Sequence, residues 1–282
     1  MTLPISVVIL TFNAEATVAR TLESAARISD DIHVVDSGST DGTLAIVRAA
    51  GAAIAAHPFV DYGAQRNWAI DHLELRHGWQ LHLDADERLS DAAVTEIQAL
   101  VDEPGIDGYL IPRLVHFMEQ PIRHGGMYPI YHARLFRTGR GRVENRRYDQ
   151  HFQISGAVRP LRHPMIDDIR MALTEWTARH NRWSDLALED ALAPQPGRIE
   201  GRLFGNPLER KRWLRERYGA APLGLRALAL FFYRYILRRG ILDGQAGLIF
   251  FVLQCFWFNF LIDAKLWERR RLTASCRETA PP

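Results

Sequence analysis

Residues Ile5–Leu10 read Ile-Ser-Val-Val-Ile-Leu, and so continuous an apolar, largely β-branched run suits a central parallel strand with both faces covered rather than a strand with one wet face. Helical spacing of Val18, Leu22 and Ala25 predicts a helix over about Ala16–Ala26. A second strand, Ile32–Val35, leads to a helix over Leu44–Ala50, and residues 62–72 open another helix. A third strand runs through Trp79, Leu81 and Leu83, followed by a helix over Ala92–Val101 and a strand over Gly108–Pro112. Strands alternating with helices make an α/β fold with a mostly parallel central sheet. A chain of 282 residues can bury one large core or two modest ones.

Ligands of open α/β sheets sit outside the carboxyl ends of the strands. The third strand ends there in Asp84-Ala85-Asp86-Glu87, and alternate residues of an extended chain face one way, so Asp84 and Asp86 can converge. Two carboxylates aimed at one point suit a hard divalent cation such as Mg²⁺ or Mn²⁺. An acidic turn capping the helix after Ser90-Asp91 is the alternative at this point. The second strand ends in the same way, in Asp36-Ser37-Gly38-Ser39-Thr40-Asp41-Gly42, where Asp41 or Thr40 also suits a helix cap. Arg66, near a helix start, opposes the helix dipole and calls for an anionic partner, whether a ligand or an ordinary ion pair.

No Gly-x-Gly-x-x-Gly follows the first strand and no Gly-Lys-Ser/Thr occurs, so neither a dinucleotide fold nor a P-loop has support. Residues 113–165 mix short strand-like runs with Arg and His; within them Arg142–His151 set Glu144 and Asp149 among cations, as a structural ion-pair cluster would. An amphipathic helix follows around Leu173–Trp183, where His180 reads as a packed or surface residue. Cys255 and Cys276 have no zinc or redox spacing, and the apolar setting of Cys255 fits a reduced thiol in a reducing cytoplasm. The N-terminal apolar stretch lacks a basic start and a small-residue cleavage site, so it reads as a buried strand and not a signal peptide.

From Leu223 the character changes. Leu225–Arg239 is apolar and aromatic with arginines threaded through it, Gly240–Gly244 is a turn, and Ala246–Ile262 is a second apolar run just short of the ~20 residues a spanning helix needs. Aromatics and arginines on an apolar hairpin suit a membrane surface, packing on protein being the alternative. Nucleic acid is not expected as a partner of the Arg198–Arg239 charge, because the aromatics there lie on helical apolar faces and no binding module is recognisable. The expected organisation is an α/β domain over residues 1–222, a membrane-surface hairpin over 223–271 and a disordered tail over 272–282.

Taken in order, Thr11-Phe12-Asn13, Asp36-Ser-Gly-Ser-Thr-Asp41-Gly, Gln65-Arg66-Asn67, Asp84-Ala85-Asp86-Glu87 and Asn181-Arg182-Trp183-Ser184 resemble the family 2 glycosyltransferases of GT-A fold, and most of all the bacterial β-glucosyltransferases of lipopolysaccharide core and exopolysaccharide synthesis. The resemblance covers about residues 4–185. It implies a metal-dependent, inverting transfer of a sugar from a UDP- or GDP-sugar to a saccharide acceptor, lipid-linked and met at the cytoplasmic face of the bacterial inner membrane. Thr11 and Asn13 would line the donor site, Asp36 would accept the ring N–H of the base, and Arg66 would lie against the base or its phosphates. Asp84 would hold the ribose and help with the metal, Asp86 would bind the Mg²⁺ or Mn²⁺ on the diphosphate, and Asp167 stands where many relatives complete the metal shell with histidine. Asp149 stands where the subgroup has the glutamate of a His-Glu pair and would be the catalytic base. Transfer to polyprenyl phosphate on the same fold, or a non-catalytic nucleotide-sugar binder, are the alternatives.

Overall fold

The computed structural model describes residues 3–100, 103–144, 150–192 and 221–278. Its contacts divide the chain into two units, Met1–Arg170 and Met171–Pro282, a division that falls ahead of the boundary expected at residue 222.

The first unit opens with four parallel strands in the order β3 (Ala53–Ala56), β2 (Asp31–Asp36), β1 (Ile5–Thr11) and β4 (Trp79–Asp84). Helices α1 (Val18–Ala26), α2 (Thr43–Ala49) and α3 (Tyr62–His72) connect them. Both faces of β1 are covered, as its sequence demands. Ile5, Val7 and Ile9 join Val18, Leu22 and Ala25 of α1 in the main core, while Val8 and Leu10 turn to Val35 and Ala69 of α3 on the other side. Each Val, Leu or Ile side chain among them, removed from water, contributes roughly 1.5–3 kcal/mol.

Beyond β4 the direction reverses. The sheet continues through β8 (Ile130–Arg137), β6 (Gly108–Phe117), β12 (Met165–Ile169) and β5 (Glu87–Leu89), with β7 (Gln120–Pro121) and β11 (Val158–Pro160) attached to β6. Helix α4 (Asp91–Leu100) follows β5 in the chain. Five of the nine pairings in this sheet among the described residues are parallel, so the sheet is mixed but mostly parallel. A separate hairpin pairs β9 (Gly141–Val143) with β10 (Phe152–Ile154).

The second unit is helical. Helix α5 (Leu173–Leu192) is nine residues longer than the stretch predicted. Helix α6 (Leu225–Phe232) passes into a π-helical turn, Tyr233–Leu237; after the 3₁₀ turn Gly240–Asp243 the chain returns through α7 (Gly244–Phe251), a second π-helical turn, Val252–Trp257, and α8 (Phe258–Glu278). The return helix continues past Leu272, where the disordered tail was expected to begin. Asp263 holds the two arms together: it accepts from Gly224 N at 2.8 Å and from Arg226 Nε at 2.7 Å. His180 is packed, stacked on Trp176, with Nε2 3.1 Å from Gln254 Oε1. Cys255 is a buried free thiol. Among the described residues one helical stretch of 33 residues, Gly240–Leu272, is long and apolar enough to cross a membrane by length and composition, with a mean hydropathy of 1.7 over its 18-residue apolar window. The apolar run counted from sequence was only its middle.

Candidate active site

Register puts the two acid-bearing strand ends on either side of β1. Thr11 pairs with Asp36 on β2, and Leu10 pairs with Asp84 on β4. Two strand spacings, about 10 Å, separate the two strand ends along one rim of the sheet. The β1–α1 and β2–α2 loops are tied together there: Asn13 N donates to Ser39 Oγ at 2.9 Å, and Thr40 N donates to Asn13 Oδ1 at 2.8 Å. Asn13 takes a left-handed backbone, φ 48°, which asparagine tolerates better than most residues. Gly42, not Asp41 or Thr40, is the cap of α2; Asp41 stands just before it, its Oδ1 accepting from Thr43 N at 3.0 Å.

Asp36 is buried, 3% exposed, and accepts four hydrogen bonds. Oδ1 takes the hydroxyls of Ser39 (2.5 Å) and Thr11 (3.1 Å), and Oδ2 takes the backbone N–H groups of Gly38 and Ser39, both at 2.9 Å. Burial works against its charge, but the donors from Ser39, Gly38 and Thr11 outweigh it and hold the carboxyl below the usual range. Gly38 suits this turn because its φ of +94° would strain any residue with a Cβ.

Asp84 is held by arginines instead. Arg66 Nη2 donates to its Oδ1 at 2.5 Å and to Leu83 O at 3.0 Å; Arg134 Nη2, from β8, donates to its Oδ2 at 2.8 Å and to Glu87 Oε1 at 2.9 Å. Glu87 Oε2 accepts from Asp84 N at 2.9 Å. Burial opposes the charge of Asp84, yet Arg134 and Arg66 hold its pKa well below the usual carboxylate range. Burial raises Glu87, with Asp84 and Asp167 adding repulsion against the pull of Arg134. Behind Arg66 lies buried His82, whose Nε2 is 2.8 Å from Gln80 Oε1 and whose Nδ1 faces Arg66 Nη1 at 3.4 Å. Desolvation, with Arg66 and Arg134 beside it, keeps this imidazole neutral.

Arg66, a residue only 3% exposed, pairs with Asp84, which supplies the anionic partner its place in the helix called for. Asp86 lies in the turn between β4 and β5, with its backbone carbonyl bound by Asp168 N at 2.9 Å. Asp167 pairs in register with Glu87 and lies 3.5 Å from Arg113 Nη1. Asp149 lies outside the described residues. The strands on either side of it, β9 and β10, are docked on α3 by Asn67, whose side chain exchanges two 3.0 Å bonds with the backbone of Val143. Sequence reading gave no role to Arg134, Glu87 or His82. Glu87 carried a signal, an acid three residues after Asp84; Arg134 carried none, since an arginine in an alternating strand normally faces solvent.

Among the described residues no group of three or more His, Cys, Asp or Glu side chains is placed to hold a metal ion. The oxygen-only set at the rim nevertheless fits Mg²⁺ or Mn²⁺ in one mode: one or two carboxylates with phosphate oxygens completing the shell, rather than an all-protein cage.

The sequence model of glycosyl transferase family 2 matches residues 6–169. A glycosyltransferase of Rickettsia conorii is 38% identical over 110 residues, 39% of this chain and 38% of that one. The chain spans only 36–38% of the length of the rickettsial relatives it matches. The lipopolysaccharide core biosynthesis glycosyltransferase LpsC of Rhizobium meliloti is 27% identical over 283 residues, covering 96% of this chain and 95% of LpsC. Among solved structures, residues 1–349 of S. aureus TarS in complex with UDP-GlcNAc share the fold at TM-score 0.50 and 14% identity, over 95% of this chain and 92% of that one.

Proposed function

Because the chain belongs to glycosyl transferase family 2 and has its GT-A fold, we propose that it moves a sugar, with inversion, from a nucleotide-sugar donor to a saccharide acceptor of bacterial cell-surface polysaccharide or lipopolysaccharide. One observation carries the donor site: two ionised acids, Asp36 and Asp84, end the strands that flank β1. Asp36 reads the base. Its acceptor positions are filled, but the Ser39 hydroxyl is a rotor and can yield its place on Oδ1 to a ring N–H. Asp84 holds the ribose in the orientation that its arginines fix. Asp86, aided by Asp167, holds the divalent cation on the diphosphate. A bound Mg²⁺ or Mn²⁺ supplies Lewis-acid stabilisation of charge developing on the leaving diphosphate. Asp149 takes the proton of the acceptor hydroxyl on the opposite face of the sugar, as a base does in inverting glycosidases.

LpsC, similar over nearly its whole length, supports a lipopolysaccharide core acceptor. The hairpin of the second unit supports a membrane surface: Phe232, Leu237, Ile241 and Leu242 are exposed at its tip next to Arg238 and Arg239. That tip meets the bilayer at the cytoplasmic face, peripherally or monotopically.

A thermal-shift panel of UDP- and GDP-sugars with Mn²⁺ tests the reading. A donor at a hundred times its dissociation constant stabilises the fold by about 2.7 kcal/mol. The true donor raises the melting temperature only with metal present, and a flat panel refutes the proposal.

A further inference from the structure

Arg134 reaches the acidic loop from the antiparallel half of the sheet. Leu135 pairs with Leu81 and Phe136 with Gln80, so Arg134 stands one position further toward the rim, where an extended side chain meets the end of β4. Its Nη2 bridges Asp84 and Glu87, and Glu87 returns to the backbone N–H of Asp84, closing a ring around the loop. Inside the ring the backbone is pinned on both sides: Thr21 Oγ1 donates to Ala85 O at 2.9 Å and Asp168 N donates to Asp86 O at 2.9 Å.

Stability alone does not account for this arrangement. Buried ion pairs can often be replaced by packed apolar groups without loss, and Arg134 leaves its Nε buried with no partner. What the ring does achieve is a fixed carboxylate at Asp84 and a fixed path through Asp86.

We propose that Arg134 is a positioning residue for the diphosphate and cation site, acting through Asp84 and Glu87 to set the place from which Asp86 is presented; this rests on the transferase reading above. Both bonds come from Nη2, whose two N–H directions are fixed in the guanidinium plane; a lysine keeps the charge, but its rotating ammonium on a flexible stem does not fix those directions.

The test is calorimetric binding of UDP and GDP, each with and without Mn²⁺, to the full chain and to Arg134→Lys, Arg134→Gln and Glu87→Gln. Loss of an outer-shell partner typically weakens a metal site about ten- to hundredfold, and that is the loss expected for Mn²⁺-dependent binding. Metal-free nucleotide binding draws on Asp36, two strands away, as well as on the ribose contact of Asp84, so it falls by a smaller factor than the Mn²⁺-dependent binding. A merely structural role would lower melting temperatures without separating the two modes. Should Arg134→Gln fail to fold, Arg134→Lys and Glu87→Gln read the same quantity. Wild-type Mn²⁺-dependent affinity in a folded Arg134→Lys protein overturns the inference alone. No Mn²⁺-dependent binding by the wild type overturns the transferase reading, and the inference with it.

Discussion

Arg66→Met isolates the clamp on Asp84. The substitution keeps the length of the side chain but removes the 2.5 Å bond to Asp84 Oδ1, the 3.0 Å bond to Leu83 O and the contact with His82. Breaking a buried ion pair from one side costs about 3–5 kcal/mol. The low end applies here, because Arg134 still holds the other oxygen and the Asp84 side chain keeps 31% of its exposure. At roughly 2–4 °C per kcal/mol for a unit of this size, ~3 kcal/mol lowers the melting temperature by about 6–12 °C. The control is Arg142→Met. Arg142 makes two 2.8 Å bonds to Asp71, but both side chains are more than 40% exposed, and such a pair is worth under about 1 kcal/mol. Thermal melts and urea titrations of the two variants supply the comparison. Because Asp84 is depressed in the folded protein, its contribution is complete above the unfolded carboxyl value of about 3.9 and disappears as pH falls through the lower folded value. The gap between Arg66→Met and wild type therefore narrows only in strong acid. Equal losses in Arg66→Met and Arg142→Met would refute the argument that burial, and not bond count, sets the worth of these pairs.

Two further outcomes concern function. Asp149→Asn is expected to fold and bind donor yet lose at least about a hundredfold in sugar transfer, the usual scale of a general base; near-normal product formation by chromatography removes Asp149 from the mechanism. Leu237→Glu combined with Ile241→Glu places charges at two of the most exposed apolar positions of the hairpin, 73% and 54% exposed, and is expected to abolish co-sedimentation with anionic vesicles at low salt. Undiminished vesicle binding by that variant sinks the membrane-surface reading.

How much could be read without coordinates depended on the range of each interaction. The parallel half was legible because each strand carries its own apolar run and its own polar exit. β3 was not: Ala-Ile-Ala-Ala carries little strand preference and becomes a strand only by pairing with β2. The short strands β5, β11 and β12 were missed for a similar reason, since three to five residues leave no period to detect. At the site, Asp36 and Asp84 were placed by local pattern. Arg66 was noticed because it offends a helix dipole, but naming its partner needed α3 laid against β4. Arg134 was invisible because its value comes from β8 running antiparallel beside β4, a pairing across about fifty residues that no local signal encodes.

The two rim acids are satisfied by different means, and the difference gives the rim a direction. Asp36 is satisfied by hydroxyls and backbone N–H groups, none of which carries a formal charge, so its full negative charge stays at the end of β2. Asp84 and Glu87 face Arg66 and Arg134, so that end of the rim is formally neutral. A nucleoside diphosphate is polarised in the same sense, with N–H donors on its base and negative charge on its phosphates. If both strand ends kept bare charges, their carboxylates would repel the diphosphate wherever it lay. In the donor site proposed above, with the β4 end cancelled, a single carboxylate at Asp86 and a divalent cation would make that end attractive, while Asp36 would stay charged for the base. Reversing this polarity, by Arg66→Met at one end or Asp36→Asn at the other, should weaken donor binding through opposite halves of the same molecule. Nucleotide monophosphates, nucleosides and free diphosphate, compared on each variant, separate the two halves. An Asp36→Asn protein that loses affinity for diphosphate alone would show that the rim has no such direction.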